Sequence, residues 1–208
     1  MSADTKNTGQ ITLAIESAIR GGSVSLIADG REIANWIGST DASKAEDLLV
    51  DINAMLTQNG FTIRHVAHVA VSAGPGSFTG IRIGIATALG LKTGLGIPMS
   101  SASALEAMAR TSNFYDESVI AVPVGRNAIC VQRYSSEGPL DDPRSVSFED
   151  FEKELEEKKQ FVLHGSLFEH FETPESASDF GENIALAIGK TCIENPGVVD
   201  PLFISKSF

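Results

Sequence analysis

Apolar and polar positions alternate at the start of the chain, and the alternation predicts three strands, Ile11–Glu16, Ser23–Ala28 and Arg31–Ile37. Gly21-Gly22 and Asp29-Gly30 supply the turns, and Asp-Gly between apolar runs is a strong hairpin signal, so the three strands form a meander. The period then lengthens. A helix capped by Asp41 or Ser43 is predicted to run to Asn59 and stop at Gly60, with Leu49, Ile52 and Leu56 on one face and Leu48 and Met55 beside it. A strand at 66–72 leads into a second helix, 77–93. Beyond Pro98 the pattern gives a short strand, a helix at 103–110, strands at 119–123 and 128–134, and a charged helix at 148–159. A short strand at 161–164 and a helix at 182–194 follow, and residues 135–147 read as loop.

The helix at 77–93 is the most informative element, because it is apolar or small almost all the way round, with only Arg82 and Lys92 charged. Ile81, Ile85, Ala88 and Leu89 make one stripe, while Gly80, Gly84 and Ala88 form a smooth groove flanked by Ile83 and Leu91. A helix lying on one sheet needs a single stripe and normally shows a polar back, so a second element or a second chain is expected to cover this one. In the turn before it, Gly74, Pro75 and Gly76 allow a sharp bend and Ser77 suits an N-cap. A structural turn and cap is the favoured reading; an anion or partner-backbone site at Gly74, Gly76 and Ser77 is the alternative. The lysine of a P-loop is absent, so nothing supports nucleotide hydrolysis by this turn.

The order of hairpin strands, helix, strand and helix is that of a ribonuclease H-like lobe. The later elements predict a second, reduced lobe. The expected class is therefore α/β, two lobes with mixed β-sheets matching the duplicated actin-like ATPase architecture, divided as 1–105 and 106–208 with a tail that can return to the first lobe. No fixed-period repeat is visible. A chain of 208 residues buries roughly 70% of its unfolded surface, and no apolar run approaches the roughly 20 residues that span a bilayer. The polar start lacks the parts of a signal peptide, which makes the cytoplasm the expected compartment.

Charge and chemistry alter the picture less. The net charge is −11, with 9 basic and 11 acidic residues in 1–130 against 7 and 16 in 131–208. So acidic a second half repels phosphate backbones and makes the chain a poor holder of nucleic acid by itself. Cys130 and Cys192 follow no metal or redox spacing and read as buried thiols. His65 and His68 lack the helical spacing of a zinc pair, His164 and His170 are distant, and no G-x-S-x-G nucleophile elbow occurs, so no catalytic residue, metal or cofactor is expected. Glu16, at the end of the first strand, is where an acidic residue of an actin-like ATPase helps position metal and phosphate. The second acidic hairpin that such a site needs reads Pro123-Val124-Gly125-Arg126, with Val124 where an aspartate is wanted, so a structural role for Glu16 is favoured.

GPGSFTGIRIGIATALGL followed by GIPMSSASALEAMA resembles the signature of the TsaB (YeaZ) family, the dimerization subunit of the bacterial tRNA threonylcarbamoyladenosine synthesis complex. The likeness extends back to ITLAIESAIRGGSVSLIADG and, more weakly, to AVPVGRNAICVQRYS and PLFISK. Relatives commonly carry D-A-R at Val124-Gly125-Arg126 and H-S-E at Lys44-Ala45-Glu46. The resemblance implies a noncatalytic scaffold that pairs with a TsaD-type catalytic paralogue. It works with a TsaE-type ATPase subunit, meets tRNA only through the complex, has no membrane partner and self-pairs when isolated. The two N-terminal helices are expected to offer Leu48, Ile52, Met55, Ser77, Phe78, Gly80, Ile81, Ile83, Gly84, Ala88 and Leu91 to two helices of the partner. The alternatives are a small actin-like ATPase or kinase relative, an M22-type peptidase, or a protein-binding module unrelated to tRNA.

Overall fold

The computed structural model describes residues 10–202 except 20, 39–46, 115, 158 and 199. The three predicted N-terminal strands form as β1 (Ile11–Glu16), β2 (Ser23–Ala28) and β3 (Arg31–Ile37), each antiparallel to the next. After α1 (Leu48–Gln58), β4 (Val66–Ser72) pairs parallel with β1. After α2 (Phe78–Leu95), β5 (Met99–Ala102) pairs parallel with β4. The sheet order is β3-β2-β1-β4-β5. The caps expected at Asp41 or Ser43 lie outside the described residues, as does Lys44-Ala45-Glu46.

The second lobe repeats this plan. β6 (Glu117–Pro123) and β7 (Ala128–Ser135) are antiparallel, and β9 (Arg144–Ser147) adds antiparallel to β7, whose far end also pairs with the two-residue β8 (Gly138–Pro139). After α4 (Phe148–Leu155), β10 (Gln160–His164) runs parallel to β6, and β11 (Ala177–Gly181) runs parallel to β10. The path β9-β7-β6-β10-β11 thus has the strand order and directions of the first sheet. The reduction lies in the helices, because a five-residue 3-10 turn at Gly165–Glu169 stands where α2 stands in the first lobe. Residues 135–147, expected to be loop, contain β8 and β9. Both are short, and RSVS carries one apolar residue, too little to show a period. β11 likewise gives little signal in the sequence, its ASDFG being short and mostly polar at a sheet edge.

Side-chain alternation sorts the core into layers. Ile11, Leu13 and Ile15 of β1 join Val24, Leu26, Val69 and Val71 against α1 and Ala88 of α2. Ala14, Ile27 and Ala70 point the other way, into a central core built from α3 (Ala104–Thr111) and α5 (Ile184–Glu194). Each of these helices leaves its own sheet. α3 follows β5 yet packs Leu105 and Met108 with Ile120, Cys130 and Tyr134 of the second sheet, while α5 follows β11 and lies on the first. A Cβ on Gly189 of α5 would collide with Ile27 and Ala14, so only glycine lets the helix come that close. Asn183, the N-cap of α5, donates from Nδ2 to Glu32 Oε1 at 2.7 Å, and the Ser23 hydroxyl accepts from the Ala185 N–H at 3.0 Å. The tail continues across the first lobe, with the Ser101 N–H bonded to the Gly197 carbonyl at 2.8 Å and the Leu202 N–H to the Ala73 carbonyl at 2.7 Å.

Candidate surface on the second helix

Ser77 caps α2, its hydroxyl accepting from the Gly80 N–H at 3.4 Å, and Gly96 closes it in the left-handed conformation at φ 68°. Between these ends the helix buries Gly80, Ile81, Gly84 and Ala88 against its own lobe. The groove expected to receive a partner is therefore occupied by this chain. A Cβ on Gly80 would overlap the Ser17 carbonyl oxygen and one on Gly84 the Ser17 hydroxyl, because the turn after β1 lies along these two glycines. Leu48, Ile52 and Met55, also expected at the interface, are buried in the α1 core, and Leu49, expected among the packed positions, is exposed. The physical reason is common to both helices. Each turns its best apolar stripe to its own sheet, and what faces outward is the weaker remainder.

That remainder is still apolar. Phe78 is 47% exposed and Leu89 46%, with the small residues Ala86, Gly90 and Gly94 exposed along the same helix, and Ile83, Ile85 and Leu91 half-buried at its margins. Among the described residues, no atom beyond the helix's own neighbouring positions lies within 4 Å of where a Cβ would stand on Gly90 or Gly94. The Arg82 guanidinium lies 3.7 Å above the Phe78 ring. On α1, Leu49 and Val50 are 54% and 65% exposed. Exposed large apolar side chains scattered singly are ordinary; here two, Phe78 and Leu89, stand on one helix beside bare glycine.

Two donors of the glycine turn before α2 are engaged within the chain. The Ser77 N–H gives its bond to the Ala18 carbonyl at 2.6 Å and the Gly74 N–H to the Ser72 hydroxyl at 3.2 Å. A Cβ on Gly76 would sit 2.5 Å from the Ala18 oxygen. At Gly76 and Ser77 the turn after β1 thus lies in the space considered for an anion, while Gly74 packs against Ile81. The residue that shapes that turn is Glu16. It is 2% exposed, and its Oε1 accepts from the N–H groups of Ala18 at 2.6 Å and Ile19 at 2.9 Å. Burial pushes its carboxyl up to about 7, against the opposing pull of those two bonds.

Each of the four histidines has a partner within the chain. His65 Nδ1 accepts from the Thr62 N–H at 2.9 Å, and His164 Nδ1 lies 2.9 Å from the Ser166 hydroxyl, with burial pulling His164 down to about 4. His170 packs on Phe148 with ring centroids 5.8 Å apart. His68 bridges Thr12 at 3.3 Å and Ser100 at 3.0 Å. That chain has the outline of a nucleophile and base, but the Ser100 hydroxyl belongs to a residue 4% exposed and a substrate has no approach to it. Among the described residues no three or more His, Cys, Asp or Glu come together as a metal site, and no helix is long and apolar enough to cross a membrane. Val124 packs against the central core. Two surface pockets, one near Glu106, Tyr134 and Glu194 and one near Ser118, Arg133 and Lys159, share no residue with α2 or the turn after β1.

Comparison with known proteins agrees with the sequence signature. The model of the family TsaD: tRNA N6-adenosine threonylcarbamoyltransferase matches residues 40–191. The tRNA threonylcarbamoyladenosine biosynthesis protein TsaB of Escherichia coli K12 is 37% identical over 98 residues, 47% of this chain and 42% of that protein. TsaB of Bacillus subtilis 168 is 28% identical over 104 residues, 50% of this chain and 45% of that protein. The matched stretch therefore spans less than half the length of these curated relatives. YeaZ from Pseudomonas aeruginosa has the same fold, with a TM-score of 0.66 at 18% identity over 94% of this chain and all of that one. With most of its length matched by the family model, the chain belongs to the family described as TsaD: tRNA N6-adenosine threonylcarbamoyltransferase, with proteins named TsaB and YeaZ among its relatives.

Proposed function

We propose that this chain is a noncatalytic scaffold subunit in tRNA threonylcarbamoyladenosine biosynthesis, docking a TsaD-type catalytic paralogue through the outward flank of α2. The observation that carries the reading is the row of Phe78, Ala86, Leu89 and Gly90, apolar or small and open on a helix whose other face is spent on the core. Leu49 and Val50 of α1 are exposed as well, and in this reading α1 joins α2 so that two helices of this chain meet two of the partner. A specific contact of this kind buries on the order of 1,200–2,000 Å² in total. The TsaE-type ATPase and tRNA are reached through the complex, and isolated copies pair through the same flank. An enzymatic role has no comparable support, because Glu16 holds its own backbone turn and Ser100 is shut from solvent.

The test is calorimetric titration of the full chain with its TsaD-type paralogue. Leu89→Asp and Gly90→Leu are both expected to weaken binding by at least about tenfold, or 1.4 kcal/mol, through desolvated charge in one and overpacking in the other. Unchanged affinity in both folded variants removes this flank from the interface. Tight ATP binding by the lone chain would favour the actin-like enzyme instead.

A further inference from the structure

The turn that follows β1 touches α2 at several points within its first two turns. The Ala18 carbonyl accepts the Ser77 N–H at 2.6 Å, and the Ser17 hydroxyl donates to the Gly80 carbonyl at 2.9 Å. Gly76, Gly80 and Gly84 leave the trough in which Ser17 and Ala18 lie. The turn in turn is closed by one side chain, since both the Ala18 and Ile19 N–H groups bond to the same oxygen of Glu16. An apolar residue at this place would fill the volume but leave two backbone donors without that acceptor, which destabilises the turn. Nothing about core filling requires a polar side chain here; accepting two N–H bonds requires an oxygen acceptor.

We propose that Glu16 is a positioning residue for the docking helix. By closing the Ser17–Ile19 turn it fixes the N-terminal half of α2, and with it the direction in which Phe78 and the open row beyond it meet the partner. The chain of contacts runs from the buried carboxylate, through Ala18, to the residue adjoining Phe78, and no part of Glu16 itself reaches the surface. The proposal rests on the docking reading above, and its test separates the two.

The experiment compares the unaltered full chain with Glu16→Leu, Glu16→Gln and Ser17→Ala, reading amide hydrogen exchange by NMR and affinity for the TsaD-type paralogue. Glu16→Leu is expected to speed exchange at Ser77, some sixty positions along the chain, at least tenfold while the Leu56 amide of α1 stays within twofold. Its affinity is expected to fall at least fivefold. Glu16→Gln keeps an oxygen acceptor and should stay within twofold of the unaltered chain in both readouts, a rescue that general destabilisation would not give. Unaltered Ser77 exchange in Glu16→Leu overturns the relay, and faster exchange with full affinity overturns the positioning role. If Glu16→Leu does not fold, Ser17→Ala decides: loss of the bond to Gly80 should lower affinity at least threefold, and no loss overturns the proposal. Failure of the unaltered chain to bind the paralogue sinks the docking reading and the positioning role with it. The Ser77 exchange, which needs no partner, shows whether the relay itself stands.

Discussion

Gly80→Leu is expected to lower the thermal midpoint by about 10 °C, while Gly90→Leu leaves it unchanged or slightly raised. The two glycines stand on the same helix, and the contrast comes from what a Cβ meets. At Gly80 it would run into the Ser17 carbonyl oxygen, with the Ala18 Cα 2.9 Å away. These are backbone atoms, tied by the Glu16 carboxylate on one side and the Ser77 N–H on the other, so they do not rotate aside. Overpacking costs 1–3 kcal/mol in ordinary cores, and a clash with fixed backbone belongs at about 3 kcal/mol. At roughly 2–4 °C per kcal/mol for a chain of this size, that gives the expected fall. At Gly90 a Cβ meets nothing within 4 Å among the described residues beyond the helix itself, and leucine gains up to about 1 kcal/mol in helix propensity over glycine. Gly84→Leu should fall between, because the atom in its way is the Ser17 hydroxyl, which turns about χ1, with a Val71 methyl 3.5 Å off behind it. Scanning calorimetry of the three variants checks the order. An equal fall at Gly80 and Gly90 would mean that α2 presents a different face to its sheet.

The second large effect is hidden in the unaltered protein and appears on substitution. Glu16 ionises near 4.5 when unfolded and near 7 when folded, so between those values the folded chain holds a proton that the unfolded chain has released. Its contribution is whole below pH 4.5 and falls by about 3 kcal/mol as pH rises to 7. His164 works in the opposite sense. Burial lowers it from 6.5 to about 4, so the unfolded chain holds the extra proton, and the contribution is whole above pH 6.5 and lost by about 3 kcal/mol as pH falls to 4. Half-buried His68, also lowered by burial, adds in the direction of His164. Asp141 and Asp150, held below the usual carboxylate range by bonds to Arg133 and Ser147 against the opposing cost of desolvation, act at lower pH. The two large slopes nearly offset from pH 4.5 to 6.5, and urea-denaturation stability is expected to be almost flat there. Glu16→Gln should expose a rise with pH across this window, and His164→Asn a fall. Parallel curves for both variants and the unaltered chain would show that neither buried group titrates as its surroundings dictate.

Local signals were enough for the first lobe. Alternation, the Asp29-Gly30 turn and the Ser77 cap are interactions among near neighbours, and β1 to β5 and α2 form where those signals stand, with α1 at Leu48–Gln58 within its predicted range. The family likeness was legible for a related reason, since the glycine-spaced segment is itself a record of a close approach between backbones. The second lobe was less readable. Its sheet copies the first in order and direction, yet RSVS and ASDFG are too short and polar to announce strands, and pairing to a ready sheet edge supplies what their own composition does not. Topology can repeat where sequence does not, because strand order is a matter of connection and packing rather than of particular residues.

By itself, then, the sequence determined that α2 has more apolar circumference than one sheet needs and that small residues let something lie against it. It did not determine which side that something lies on. Gly80 and Gly84 are indistinguishable from Gly90 and Gly94 in a linear pattern, each a missing side chain on a helix of isoleucines and leucines. Only the tertiary structure puts Ser17 and Ala18 over the first pair and leaves the second pair open, because the turn that fills the trough comes from sixty residues away. The same long-range placement turned Glu16 from an acidic residue at a strand end into the closure of that turn, and made Ser100 inaccessible despite its histidine neighbour. Periodicity reports how much surface must be covered; which atoms cover it is fixed only when distant segments meet.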